Sequence, residues 1–328
     1  MILKSGHSFI AAKIFLSLTA CFTGSKALSQ IDTVKIGTYV LSLHGFNLAD
    51  NTFKCDAYYW CLYKNRNFNF QNEFEIMNTN EVNYEGTNKD TIKSYFWFFT
   101  KVKAVIRKNW EKTNFPFDQQ LLRIKVESSE NDLNSLVFTP DEKNSELSDT
   151  FLSQNDEWKI ISSRFYTDIT RYNSNFGNQF SGNESFNSSF NTEIVIKRKD
   201  SVLILFKLIT GLIISFLISV CVFFIKPIDI DPRFGLCVGG IFAAIGNKYI
   251  VDNIVPSTNK FNLLDDLHTL TFFYIFLIVI MSIISLNIYE KGTQRSKKNA
   301  LLLDRVSFFV IILSYPLIIT SIVFNHIF

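Results

Sequence analysis

Apolar and polar positions follow two different patterns along the 328-residue chain, and the change falls near residue 201. Between residues 31 and 201 the apolar residues come in short runs, separated by turn-rich clusters such as 49–52 and 84–88. In FKCDAYYWCLY, Phe53, Cys55, Ala57, Tyr59, Cys61 and Tyr63 share one face, and Tyr58, Trp60 and Leu62 share the other. LLRIKV sets Leu122, Ile124 and Val126 against Arg123 and Lys125. VKIGTYVLSL groups Val34, Ile36, Thr38 and Val40, and TEIVIKRK is a further β-branched run. A period of two in β-branched and aromatic stretches predicts strands, because successive side chains of a strand point to opposite faces. The spacing of three and four that a helix needs is not sustained in these runs. Short strands with intervening turns predict an all-β, immunoglobulin-like sandwich over residues 31–200.

Residues 201–328 hold four apolar runs, at about 202–225, 234–251, 267–289 and 305–327. A helix of roughly 20 residues crosses the hydrocarbon core of a bilayer, so the expectation is a helical four-span bundle. The second run differs from the rest: it contains Gly235, Gly239, Gly240, Gly246, Asn247 and Lys248. Such a helix suits a place shielded from lipid by its neighbours. Residues 1–30 place Lys4 before an apolar stretch and end in small residues, as a secretory signal peptide does. Lys13 interrupts that stretch, so an uncleaved N-terminal anchor is the alternative.

Charge sharpens this division. The formal net charge of +3 is +3 in residues 1–30, −3 in 31–201 and +3 in 202–328. The connection after the third run carries Lys291, Arg295, Lys297 and Lys298, whereas the one after the second sets Lys260 against Asp252, Asp265 and Asp266. Basic connections stay in the cytoplasm. That rule and the signal peptide both put the β domain outside. A mildly acidic β domain excludes a nucleic-acid binder with a basic face.

The inventory for chemistry is small. The four histidines form no metal-ligand spacing, and the five cysteines contain no CxxC. Cys55 and Cys61 stand six residues apart in one strand, roughly 20 Å, beyond the reach of a disulfide. No GxSxG or phosphate-binding loop is present. The expectation is a protein that is not an enzyme and holds neither metal nor cofactor.

Several motifs in this order resemble a known family. Phe115-Pro116-Phe117-Asp118, followed by Gln120, matches a stretch of the pentameric ligand-gated ion channels, the Cys-loop receptor superfamily. Arg233, Leu236 and Val238 resemble the start of that family's second span, and Asn253-Ile254-Val255-Pro256 its end. Leu264-Asp265-Asp266 leads into the third span, and Lys197-Arg198-Lys199 precedes the first. The likeness covers the mature chain in order and spacing. Two departures stand out. The places of the two cysteines that bracket the FPFD motif in vertebrate members hold Lys108 and Leu122, and no domain separates spans three and four. Both are similar to bacterial members.

The resemblance implies a homopentamer in the inner (cell) membrane of a bacterium, with the N-terminal domain in the periplasm or outside and the 3–4 connection in the cytoplasm. It implies a pore lined by Gly235, Gly239, Phe242, Gly246, Tyr249 and Asn253, with Phe242 as a hydrophobic gate that dewets. The other reading of the glycines is close helix packing, since Gly235 and Gly239 form a small-xxx-small pattern. Asp231, two places before Arg233, would make the channel cation-selective; alternatively Asp231 caps the helix and Arg233 pairs with it. Coupling is implied for Pro116, Asp118, Arg198 and Pro256, with an ion pair between Asp118 and Arg198 or, alternatively, two separate surface charges. An unidentified small-molecule ligand would sit between neighbouring copies, with Phe180 and Phe186 in a lid at 176–187 and Tyr58 on the opposite face. Permeant cations and membrane lipid complete the implied partners. The competing function is a non-conducting pentameric exported sensor of the same fold.

Overall fold

A computed structural model of the chain describes residues 31–148, 157–178, 182–255 and 261–327. The expected signal peptide at 1–30, Phe180 and Pro256 lie outside the described residues. Among the described residues the order is ten strands, with a single helical turn at Phe70–Glu73 between the second and third, followed by four long helices.

One sheet runs β4 (Thr79–Ile92), β5 (Tyr95–Arg107), β2 (Thr52–Tyr63), β1 (Asp32–Asn47) and β7 (Leu136–Pro140), with β8 (Glu146–Leu147) also paired to β1. The other runs β3 (Phe74–Ile76), β6 (Gln119–Ser128), β10 (Ser185–Arg198) and β9 (Trp158–Tyr172). Their apolar faces enclose one core. Val34, Ile36 and Val40 of β1, the six odd-numbered residues of β2 from Phe53 to Tyr63, Leu122, Ile124 and Val126 of β6, and Phe190, Ile194 and Ile196 of β10 are all buried in it. The period of two therefore reports the true inner face of each strand.

Residues 84–88 correct one expectation. They are no turn but the middle of β4, an exposed edge strand whose ladder with β5 shifts between Glu85 and Asn88. Gly86 has φ 58 there, a left-handed backbone that glycine adopts freely, so its turn-like composition marks a bulge.

The helices are α1 (Ser201–Val220), α2 (Ile230–Ile254), α3 (Leu263–Tyr289) and α4 (Gln294–Ile327). A 3₁₀ turn, Cys221–Phe224, extends α1. All four are long and apolar enough to cross a membrane, as in a multi-pass membrane protein. Three of them begin before the apolar runs do. α2 starts at Ile230, because a proline such as Pro232 is tolerated in a first turn whose N–H groups lack helical partners anyway. α3 starts at Leu263 because Asn262 and Asp265 form a reciprocal capping box. α4 starts at Gln294, so the stretch expected as a connection up to 304 is mostly helix, and only Glu290–Thr293 links α3 to α4. Hydropathy marks where a helix is apolar, not where it begins.

Each helix packs on its chain neighbour, and α1 also reaches α3. Glycine and serine bring α1 and α2 close together. A Cβ at Gly240 would collide with Ser219 Oγ and stand 3.0 Å from the Ser215 carbonyl oxygen. Ser215 Oγ donates to Gly240 O at 2.6 Å. Asn247 Nδ2 donates to Leu208 O at 3.0 Å.

Candidate functional site

Three places in the fold carry the residues singled out by sequence. The first is the uncovered face of α2. Arg233, Cys237, Gly240, Ala244 and Val251 pack inward. Gly235, Gly239, Phe242, Gly246, Tyr249 and Asn253 all lie exposed on the opposite side, with Phe242 69% and Tyr249 72% accessible. A Cβ at Gly235, Gly239 or Gly246 would meet nothing within 4 Å. Within one chain the close packing is thus done by Gly240 and Gly211, not by the Gly235–Gly239 pair, because the buried face of α2 falls on Gly240.

The end of α2 distal to the sheets is charged. Asp229 is its N-cap residue, and Asp231 is exposed in its first turn. Arg233 does not pair with Asp231. Its side chain turns into the bundle, where Nη2 donates to Asp304 of α4. Nε and Nη2 also donate to Ile225 O at 3.1 and 2.7 Å. Arg233 and Asp304 side chains are each 2% exposed. The exposed fixed charges on this connection are therefore Asp229, Asp231 and Lys226.

The second place is the junction of sheets and bundle. β10 ends at Arg198 and α1 begins at Ser201, so the last strand enters the first helix almost directly. Arg198 Nε donates to Asp118 Oδ1 at 3.0 Å, with the carboxylate wholly buried and the guanidinium 10% exposed. The guanidinium also lies 4.1 Å from the Trp158 ring centre and 4.6 Å from that of Phe115. Gln120 Nε2 donates to Asp118 Oδ2 and to Glu111 O, both at 2.6 Å. Pro116 stands in the same loop after a cis peptide bond, and Phe115 packs with buried residues of α1, α2 and α3. The loop is tied to the helices twice more. Leu263 N, at the start of α3, donates to Thr113 O at 3.1 Å. His326, near the end of α4, has Nδ1 3.1 Å from Asn114 Oδ1 and Nε2 3.1 Å from Asp266 Oδ2.

The third place is a cleft of about 830 Å³ beside the β9–β10 connection. Glu127 is buried at its base: Oε2 accepts from Tyr172 OH at 2.8 Å and Asn187 Nδ2 at 3.3 Å, and Oε1 lies 3.2 Å from Lys125 Nζ. Burial, and then the Glu127 carboxylate, push the Tyr172 hydroxyl well above its ordinary range. Glu75, Glu130 and Asp132 line the same cleft without an ion pair among the described residues. Phe186, 40% exposed, lines it from β10, and Phe176 from the connection. Tyr58 stands on the other sheet, half-buried and stacked on Phe99 at 5.2 Å between ring centres. One chain does not bring Tyr58 and Phe186 together.

Sequence reasoning missed Tyr172 and Glu127, which meet through the pairing of β6, β9 and β10 and share no local spacing; Phe176, in the expected lid, packs edge-on against Tyr172. It missed Asp304 as well. The only trace of that pair is a lone acid at the edge of a long apolar run. No family model matches the chain, and no curated protein matches it either.

Proposed function

We propose that the protein is a subunit of a homopentameric, ligand-gated, cation-selective channel of the Cys-loop receptor type, with an exported immunoglobulin-like sandwich and a pore lined by α2. One observation carries the reading. α2 keeps a whole face of glycines and two large aromatics that its own bundle leaves uncovered, while α1 and α3 pack on its opposite side. A ring of five such helices gives that face a single purpose. Five Phe242 side chains form a dewetting gate, and Tyr249 forms a second constriction nearer the sheets. Asp231 supplies a carboxylate ring at the distal mouth, and Arg233 presents no charge there because Asp304 holds it inside the bundle. The acidic, aromatic cleft by β9–β10 is the ligand site, completed by Tyr58 of the adjacent copy, and an acidic lining suits a cationic ligand. The sandwich stands in the periplasm of a bacterial inner membrane, with the 290–293 connection in the cytoplasm.

The test is ion flux in planar bilayers for the wild type and Phe242→Ala. A variant that leaks cations without ligand supports both pore and gate. No flux from either protein refutes the channel and leaves the non-conducting sensor. A native mass that is not five subunits removes the architecture.

A further inference from the structure

α1 carries Lys207 in the second turn of a membrane-length helix. It is exposed and has no charged partner among the described residues. An ionisable group at such a depth normally faces a partner or a polar cavity. The faces of α1 are otherwise assigned. Leu208, Gly211 and Ser215 meet α2, and Phe206, Ile209 and Ile213 line an apolar groove shared with α4. Lys207 belongs to a third stripe, Leu203, Lys207, Thr210 and Ile214, at helical spacing and exposed throughout.

α3 has a matching uncovered stripe. Thr271 and Tyr274 bond to Tyr315 and Ser314 of α4, and His268 Nε2 lies 3.0 Å from Asn247 Oδ1 of α2. Thr269, Phe273 and Phe276 are exposed on the remaining side. Asp265 is one turn before Thr269 on the same side. Lys248 Nζ of α2 lies 2.6 Å from Asp265 Oδ1 and 2.5 Å from Asp252 Oδ1. This group holds two carboxylates and one ammonium, one positive charge short of balance, and Asp252 is 43% exposed.

Packing order decides how two copies meet. α2 packs on both α1 and α3, which also touch each other behind it, so a ring that turns the uncovered face of α2 to its axis sets the α1 stripe of one copy against the α3 stripe of the next. Depth agrees. Asn247 bonds to Leu208 and contacts His268, so Lys207 stands level with His268, one turn from Asp265. Side chains lean toward the N-terminus of their helix, which for α1 is the sheet-proximal end where Asp265 lies.

We infer that Lys207 of one copy closes the Lys248–Asp252–Asp265 cluster of the neighbouring copy, making the second copy of this chain the partner of the α1 stripe. The inference rests on the ring reading above. The full-length protein in detergent tests it, with Lys207→Met, Lys207→Glu and Lys207→Arg, and with Lys207→Cys paired with Thr269→Cys in a Cys221→Ser background. Assembly is read by native mass against dilution, and cross-linking by gel after oxidation. The expectation is that Lys207→Met raises the concentration of half-assembly roughly tenfold, that Lys207→Glu raises it further, that Lys207→Arg matches wild type, and that the paired cysteines cross-link into a ladder. If the wild type assembles while the Met and Glu variants match it, or while no ladder forms, the pairing is overturned and the ring stands. A wild type that remains a single subunit at all concentrations overturns the ring and the pairing with it.

Discussion

Removing Arg198 from the junction is the sharpest test of how the sheets hold the helices. Arg198→Met leaves the Asp118 carboxylate wholly buried, with Gln120 as its remaining side-chain donor. Breaking one side of a buried ion pair costs about 3–5 kcal/mol, because the remaining charge cannot return to water. The guanidinium also faces two rings, Trp158 and Phe115, each contact contributing about 0.5–2 kcal/mol. Arg198→Met is therefore expected to lose more than Asp118→Asn, which keeps the stacked cation. The double variant removes both charges, so its loss should fall short of the sum of the singles by about 1–3 kcal/mol. Arg198→Lys keeps the charge without the planar stack and should fall between wild type and Arg198→Met. Urea unfolding followed by tryptophan fluorescence suits the measurement, since Trp158 touches the guanidinium and Trp110 lies 6.4 Å from Trp158. Single losses below about 1 kcal/mol that add in the double variant would show two independent surface charges, and the junction argument would fail.

Other outcomes follow from the same structure. Asp304→Asn should destabilise the bundle by about 3–5 kcal/mol, while Arg233→Met with Asp304→Leu should restore most of it; thermal melts of the wild type and these two variants decide, and a double variant as weak as the single refutes the pairing. Gly240→Ala should cost about 1–3 kcal/mol by overpacking against Ser215 and Ser219, whereas Gly239→Ala, with open space, should not destabilise the isolated subunit; equal melting losses would contradict the assignment of faces. Burial pushes the Glu73 carboxyl above the usual carboxylate range, against the opposing bonds from Asn69 N and Asn131 Nδ2. Because the native state then holds this proton more tightly than the unfolded chain, the stability it adds is present in acid and lost as pH rises through the native value. Glu73→Gln should flatten that fall in a pH series of unfolding curves, and an unchanged slope would sink the explanation.

What the sequence reveals depends on which faces are wet. β2 and β6 are legible because one face is core and the other is not, so a period of two survives. β4 is not: exposed on nearly every residue, it reads as a loop, and only its pairing with β5 makes it a strand. The bundle is legible as four apolar stretches, but the polar start of α4 is invisible to hydropathy although it carries the acid that binds Arg233. Of the glycines in α2, spacing alone cannot separate Gly240, pressed on Ser219, from Gly239, which faces open space one residue away. Helical phase relative to α1 decides between them, and phase is a tertiary fact. The cleft by β9–β10 is the least legible, because its Tyr172, Glu127 and Phe186 come from three strands.

Under the channel reading, the connectivity restricts how ligand binding reaches the pore. Phe186 lines the cleft at one end of β10, and Arg198 sits at the other, three residues before α1 begins. β10 is paired along both edges, to β6 and β9, so it moves as part of its sheet and not as a free tether. A displacement at the cleft therefore arrives at Arg198 as a shift of that sheet against the loop at 113–118. That loop is held at its Thr113 and Asn114 to α3 and α4, and it reaches α2 through their packing and through Val251 and Val255 in the cluster around Phe115. A ligand shifts such an equilibrium only by its difference in affinity between the two states. Breaking the Asp118–Arg198 pair should then uncouple ligand occupancy from flux while leaving ligand affinity for the closed state unchanged. Mutations at Phe242 should do the reverse, changing flux at zero occupancy. A junction variant whose flux still follows occupancy as the wild type does would place the coupling elsewhere, on the β1–β2 turn at 48–51 that packs Leu48 into the same cluster.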